Sequence, residues 1–158
     1  GTRDERLELG KKLGADYVIN IRKEDPIQKV KDLCGGYVAH YILECSGALT
    51  ALNDASKMIR RGGRICLAAF PPEPVMVDVP ALVRNNIYVF GIRGEGQSAT
   101  HRAASLMAQK RFDAKLLHTH TFPLEEVPTA IKYARERIEG AIKVVVKNKR
   151  LEAGLTHS

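Results

Sequence analysis

The side chains best suited to chemistry are two histidines and three cysteines. His118 and His120 flank Thr119, so a strand would point both imidazoles to one side, as in a metal pair. Two ligands without a third rarely form a metal site, so none is predicted. The cysteines are odd in number, lack C-x-x-C spacing and have no identifiable His or Asn partner. They are predicted to occupy core or strand-end positions, and they are Cys34, Cys45 and Cys66.

Glycines and a carboxylate form a second set of candidates. A dinucleotide-binding unit begins with a strand, a G-x-G-x-x-G loop and a helix whose N-terminus binds the pyrophosphate. The run from Gly91 to Gly96 has its glycines in the wrong order and does not match that loop. Glu44 stands at the predicted end of a strand, where it either lines a crevice or serves as a hydrogen-bonded structural carboxylate.

The composition is that of a globular protein, with 158 residues, 44% of them hydrophobic, and a formal net charge of +7. The basic residues are scattered and no aromatic-interleaved stripe accompanies them, so nucleic-acid binding is not predicted. No apolar run approaches the roughly 18–20 residues of a membrane helix, and residues 1–6 lack the core of a signal peptide. Because the cysteine count also gives no disulfide framework, we expect a reducing cytoplasm and no membrane partner.

Hydrophobic periodicity predicts helices and strands in alternation up to residue 91. Helices are predicted from Asp4, from Asp25-Pro26, over residues 49–59 and near residues 81–84, and Gly14, Gly35-Gly36 and Gly62-Gly63 end the first three. Strands are predicted at residues 17–20, 40–45, 64–70 and 87–91. The near-continuous apolar run 64–70 is typical of a strand buried on both faces of a sheet.

This alternation predicts an α/β fold, a Rossmann-like doubly wound parallel sheet with helices on both faces. Such sheets bind ligands outside the carboxyl ends of their strands. The candidate binding segments are therefore Cys45-Ser46-Gly47, Ala68-Ala69-Phe70 and Gly91-Ile92-Arg93.

The pattern changes after Gly94. A helix is predicted over residues 98–110, an extended segment over 117–122 and a last strand over 142–146. A polar tail from Asn148 onward is expected to fray. Between these, one helical stripe is predicted from Leu124, Val127, Ile131, Ala134 and Ile138.

No phosphate-binding loop precedes these elements, and the chain opens on a helix without an initiator Met. We therefore expect a nicked, truncated or partly traced parent whose upstream part holds that loop. In the strand order 3-2-1-4-5-6, the absent strands would lie between residues 17–20 and 42–45. Their absence would leave a gap of about 10 Å at sheet spacing.

Several motifs resemble the zinc-type medium-chain dehydrogenases. The run from Asp4 to Asp16 (DERLELGKKLGAD), followed by Val18-Ile19-Asn20, resembles their second βα unit. Each motif alone is weak, but the joint pattern is specific and covers about residues 1–147 in family order. Threonine, polyol and alcohol dehydrogenases are the most similar, and the chain resembles the C-terminal half of one. The other matching runs are Glu44-Cys45-Ser46-Gly47, Arg60 to Ile65, Thr119 to Leu124 and Gly140 to Val146.

The resemblance implies a division of the chain and an activity of its parent. Residues 1–92 would be a partial dinucleotide-binding domain, and residues 93–158 would return to a GroES-like catalytic domain. The zinc ligands would lie upstream, in the missing part of the parent. A whole relative, expected as a homodimer or homotetramer, would oxidise a secondary alcohol by hydride transfer to NAD(P). The fragment alone is expected to be inactive.

The resemblance also implies NAD(P)-binding positions at the strand ends. Ala68, Ala69 and Phe70 would meet the nicotinamide ribose and ring, because small residues permit a close approach. The backbone at Ile92 and Arg93 would hold the carboxamide. The neighbouring strand-end residues Cys45 and Ser46 complete this set.

Further positions would bind the rest of the coenzyme. Gly1 stands where NAD-preferring members carry an acidic residue, and Arg3 could pair with a 2′-phosphate, which implies tolerance of or preference for NADP. An exposed helix-entry loop remains the alternative there. Arg6 would contact the adenosine side and Lys143 the pyrophosphate, with ordinary surface charges as the alternatives.

Two other functions compete with this interpretation. The short-chain dehydrogenases need Tyr-x-x-x-Lys, and no tyrosine of this chain is followed four positions later by lysine. Tyr133 has Arg137 at that position. The chain could instead be a catalytically inactive nucleotide-binding or dimerisation module, with residues 87–91 pairing across a dimer.

Overall fold

A computed structural model of the chain describes residues 1–36, 38–94 and 96–148. Contacts divide it into two units, of which the first comprises Gly1–Arg3 and Ile19–Arg102. The second comprises Asp4–Val18 and the described residues from Ala103 onward. These contacts do not test the predicted functional division after residue 92, which stays a prediction. The predicted fraying tail lies outside the described residues from residue 149 onward.

Helices and parallel strands alternate along the chain, which confirms the predicted α/β architecture. In chain order the elements are α1 (Asp4–Lys12), α2 (Pro26–Leu33), β1 (Ala39–Glu44), α3 (Ala51–Met58), β2 (Ile59–Leu67), α4 (Val79–Arg84), β3 (Tyr88–Gly91), α5 (Gly96–Ala108), β4 (His118–Pro123), α6 (Val127–Glu136) and β5 (Lys143–Lys147). Short 3₁₀ turns occupy Ala114–Leu117, Leu124–Glu126 and Ile138–Gly140.

Aspartates begin two helices of the first unit. The Asp25 side chain accepts a hydrogen bond from the Ile27 N–H at 2.9 Å, and Pro26 fills the first helical position of α2. Asp78 caps α4 in the same way, through the Ala81 N–H at 3.0 Å. The predicted start of α2 is therefore confirmed. Among the described helices, none has the length and apolar character needed to cross a bilayer.

The first unit is built on a three-stranded parallel sheet in the order β1-β2-β3. On one face, Ile65 is fully buried and packs with Ala55 of α3 and with Ile59. Arg64 is exposed, so residues 64–70 are not buried on both faces as predicted. Partly buried side chains surround this core, namely Ile42, Leu52, Leu67, Ile87 and Val89.

Two predicted strands differ from the structure, because one does not form and the other has different bounds. Residues 17–20 form no strand, since none of the described strands pairs with them. The Ile19 carbonyl accepts from the Gly1 amino group, and the Asn20 carbonyl accepts from the Lys23 and Glu24 N–H groups of the turn that follows. β2 ends at Leu67, where its pairing with Gly91 of β3 ends, so residues 68–70 form the loop that follows. The predicted break at residues 60–63 lies within β2, where pairing with β1 is interrupted and Gly62 has φ of +72°.

The second unit contains the parallel pair β4–β5, on which α6 packs. α6 ends at Glu136 because Arg137 adopts a left-handed conformation, with φ of 58°. Ile138 therefore falls outside the helix, contrary to the predicted stripe. Ile131 is 59% exposed, and Ala130 is the buried residue of α6 instead.

Candidate functional site

The candidate site is the edge of the first sheet at which the three strands end. Glu44, Leu67 and Gly91 are neighbours in the strand register. The alignment continues past the strands, since the Ala68 N–H donates to the Glu44 carbonyl at 2.8 Å and the Ile92 N–H donates to the Leu67 carbonyl at 3.0 Å. The structure thus brings the predicted strand-end segments to one edge, and these are residues 45–46, 68–70 and 92–93.

A buried carboxylate organises the turn after β1. Glu44 is 9% exposed, and its Oε1 accepts hydrogen bonds from the Ser46 N–H at 2.6 Å and from the Ser46 hydroxyl at 2.5 Å. Both carboxylate oxygens also accept from the Gly47 N–H, at 3.1 and 3.2 Å. Burial would raise the pKa of Glu44, but the hydrogen bonds from Ser46 and Gly47 outweigh it and hold the pKa below its ordinary value. Glu44 is therefore a hydrogen-bonded structural carboxylate.

Gly47 brings this turn against the backbone that follows β2. Its φ is +64°, and a Cβ at this position would lie 2.5 Å from the Phe70 carbonyl oxygen. Only glycine satisfies both the left-handed conformation and the close approach. Sequence reasoning placed Gly47 in a strand-end segment but missed this contact. The available signal was a glycine directly after the polar residues that end a strand.

Phe70 and Arg93 link the loops that follow β2 and β3. The Phe70 ring is 72% exposed, and the Arg93 Cζ lies 5.8 Å from its centroid, within the range of a cation–π contact. Ala68 is exposed and Ala69 is half-buried, so small side chains flank the accessible backbone between β2 and the ring. This arrangement can hold a planar heteroaromatic ring beside an anionic group.

The other predicted binding residues lie away from these strand ends in the chain. The Gly1 amino group donates to the Ile19 carbonyl at 2.9 Å, which places Gly1 beside Ile19 of the first unit, and Arg3 belongs to the same unit. Arg6 is exposed on α1 and Lys143 is exposed at the start of β5, both in the second unit. The coenzyme-binding roles of all the candidate residues stay predictions.

The two histidines take part in hydrogen bonds within the second unit. The His118 Nε2 lies 2.7 Å from the Thr121 hydroxyl, and the His120 Nδ1 lies 2.9 Å from the Thr119 hydroxyl. His120 also packs against Tyr133, with ring centroids 5.3 Å apart. In the part of the chain that the structure describes, no three His, Cys, Asp or Glu side chains form a group that could hold a metal.

Comparisons with known proteins agree on one family. The family model for zinc-binding dehydrogenases matches residues 1–109. The chain is similar to the L-threonine 3-dehydrogenase of Bacillus licheniformis, with 32% identity over 142 residues that make up 89% of this chain and 41% of the relative. The chain thus spans about two-fifths of the length of such curated relatives.

Solved structures share the fold. An alcohol dehydrogenase from Thermotoga maritima superposes with a TM-score of 0.83 at 30% identity, covering 94% of this chain and 42% of that one. A short chain alcohol dehydrogenase from E. coli CFT073, solved with NADH, superposes with a TM-score of 0.80 at 24% identity, covering 91% of this chain and 42% of that one. The architecture thus matches the Rossmann-like half of such enzymes, as predicted from the sequence.

Proposed function

We propose that this chain, which belongs to the zinc-binding dehydrogenase family, is the coenzyme-binding part of an NAD(P)-dependent alcohol dehydrogenase. The observation that carries the proposal is the open edge at which β1, β2 and β3 end in register. Parallel α/β sheets bind ligands outside the carboxyl ends of their strands. The exposed Phe70 ring and the Arg93 guanidinium beside it suit a coenzyme with a planar ring and phosphates.

The complete enzyme would oxidise a secondary alcohol of the alcohol, polyol or threonine type. NAD(P)⁺, when bound, would accept a hydride from the carbinol carbon and become NAD(P)H, while the hydroxyl proton would pass to solvent and leave a ketone. Phe70 and the backbone of residues 68–69 would orient the nicotinamide, and the backbone at residues 92–93 would hold its carboxamide. We assign no zinc ligand among the described residues, and the zinc ligands of the complete enzyme are proposed to lie upstream. We expect no turnover from the 158-residue chain alone, because its assigned residues only bind and orient the coenzyme.

Titration with NADH and with NADPH tests this proposal in the protein at its full encoded length. We expect saturable binding, seen as a change in coenzyme fluorescence. Arg93→Ala should weaken binding about fivefold, because a cation–π or ionic contact contributes about 1 kcal/mol. Arg84→Ala, at an exposed position of α4, is the control and should bind as the unaltered protein does. Absence of binding to the unaltered protein would refute the proposal.

Coenzyme choice depends on Gly1 and Arg3. Without a carboxylate at Gly1, and with a guanidinium at Arg3, the protein should accept NADPH. We expect Arg3→Ala to lower the affinity for NADPH more than that for NADH, while Arg22→Ala, at an exposed position, should change neither. A clear preference of the unaltered protein for NADH would show that this assignment is wrong.

Assembly into a homodimer or homotetramer is part of the proposal. β3 is an edge strand of the described sheet, and its Tyr88 and Phe90 are 54% and 48% exposed. An exposed edge strand with aromatic side chains favours pairing with a second copy. Light scattering should therefore give a mass of two or four chains, whereas a monomer would contradict the pairing. A cytoplasmic location is supported by the free thiols of Cys34, Cys45 and Cys66.

A further inference from the structure

A continuous series of contacts joins the loops after the three strands of the first sheet. The Glu44 carboxylate binds the Gly47 N–H, Gly47 lies against the Phe70 carbonyl, and the Phe70 ring lies beside the Arg93 guanidinium. The last two side chains, Phe70 and Arg93, are exposed at the strand ends, whereas Gly47 is buried and Glu44 is 9% exposed.

We propose that Glu44 is a positioning residue, which sets the place of Phe70 at the coenzyme site by holding Gly47 against the Phe70 backbone. The inference rests on the proposed function and deepens it. Glu44 acts through the turn of residues 45–47, whose Ser46 and Gly47 N–H groups both donate to it.

The surroundings of Glu44 explain why the turn depends on the carboxylate. Three donor groups converge on it, and hydrogen bonds to an ionised acceptor are roughly twice as strong as neutral ones. A cavity of about 50 Å³ lies between the turn and the loop after β2, so side chains do not fill that space completely. The backbone contact between Gly47 and Phe70 therefore fixes their spacing.

Two glycines provide a matched test. Gly47 and Gly62 both have left-handed φ values, +64° and +72°, but a Cβ at Gly62 would have no atom within 4 Å. Gly47→Ala and Gly62→Ala thus add similar backbone strain, and only the first displaces Phe70. In the protein at its full encoded length, we expect Gly47→Ala to raise the KM for coenzyme roughly ten- to a hundredfold with a smaller change in kcat. Gly62→Ala should leave that KM within about twofold.

The pH dependence of coenzyme affinity, measured over the pH range in which the protein stays folded, gives a readout that a role in stability alone would not move. As pH falls through the lowered pKa of Glu44, the carboxylate becomes protonated and its hold on Gly47 weakens. We expect coenzyme affinity to fall in that acidic range and Glu44→Gln to abolish this acid limb. Glu73→Gln, at an exposed position in the loop before α4, should retain it. The other residues that line the cavity carry no titratable side chain, and they are Gly47, Ala48, Ala51, Leu52, Leu67, Ala69, Pro71 and Val75.

The outcomes separate this inference from the function on which it rests. If the unaltered protein binds neither NADH nor NADPH, the proposed function fails and the inference falls with it. If it binds coenzyme but Gly47→Ala and Gly62→Ala have the same KM, the inference is overturned while the proposed function stands. Should Gly47→Ala fail to fold, Glu44→Gln decides, because an unchanged acid limb in that variant equally overturns the inference.

Discussion

The two sheets of this chain are both parallel, yet they use their polar groups differently. In the β4–β5 pair, the Thr119 hydroxyl donates to the Lys143 carbonyl at 3.3 Å and accepts from the Ile142 N–H at 3.0 Å. His118 and His120 are likewise bonded to threonines of the same strand. In the β1–β2–β3 sheet, the aligned strand ends leave the Phe70 ring and the residues beside it exposed.

The comparison of the two sheets shows that residue type alone does not locate a candidate site. The histidines are the side chains most often associated with chemistry, and they serve as hydrogen-bonding groups of the second unit. Alanine, phenylalanine and glycine are rarely named as functional residues, and they form the open edge of the first sheet. The placement of a residue at aligned strand ends is the more informative property.

The largest loss of stability is expected from a substitution in the core of the first sheet. Ile65 is fully buried, so Ile65→Ala should lower the free energy of unfolding by about 2–5 kcal/mol and weaken coenzyme binding with it. Ile21 is 51% exposed, and Ile21→Ala is the control. Urea unfolding of both variants measures the effect. Equal losses in the two would contradict the assignment of Ile65 to the core.

Acid should weaken the first unit through Glu44. The pKa of Glu44 is lower in the folded chain than its ordinary value, so its stabilisation is present above that ordinary value and is lost as pH falls through the folded pKa. Urea unfolding at a series of pH values should show this loss in the unaltered protein and a smaller one in Glu44→Gln. An identical pH dependence in the two proteins would exclude Glu44 as the cause.

Thr119→Val tests the hydrogen bonds that stabilise the β4–β5 pair of the second unit. The change removes both hydrogen bonds of the Thr119 hydroxyl and should cost about 1–2 kcal/mol. Hydrogen exchange should become faster at Ile142 and along β5, while the Ile65 amide of β2 keeps its protection. Thr129→Val, at an exposed position of α6, is the control. Faster exchange in β2 as well would mean that the two sheets unfold together.

The smallest effect is expected at the cap of α2. Asp25→Ala removes the side-chain bond to the Ile27 N–H and should cost about 1 kcal/mol. Asp16→Ala, at an exposed position, should cost less. Thermal unfolding of the two variants compares them, and a cap that contributes nothing would give the same midpoint in both.

The sequence was sufficient to predict those structural features that depend on neighbouring residues in the chain. Asp25 and Pro26 begin α2 as predicted, and the parallel order of the strands brought residues 45–46, 68–70 and 92–93 to one edge. These features follow from capping and from the alternation of helices and strands. They depend little on distant residues.

Features that depend on a partner elsewhere in the chain were not predictable. Residues 17–20 have the composition of a strand, but a strand also needs a neighbouring strand, and none of the described strands pairs with this segment. The left-handed Arg137 ends α6 before Ile138, although arginine carries no signal for that conformation. The contact between Gly47 and the Phe70 carbonyl joins two loops, so the glycine after β1 signals a close backbone approach but does not identify its partner.

The strands of the first sheet follow one another in space in the same order as in the chain. Each parallel connection therefore needs a single crossover, through α3 between β1 and β2 and through α4 between β2 and β3. Ile42 pairs with Ile65 and Ile65 with Val89, so pairing between sequence neighbours keeps the loops that must close shorter than a crossed strand order would require. During synthesis on the ribosome, each strand can pair with its predecessor as soon as it emerges, so the sheet grows in the direction of translation.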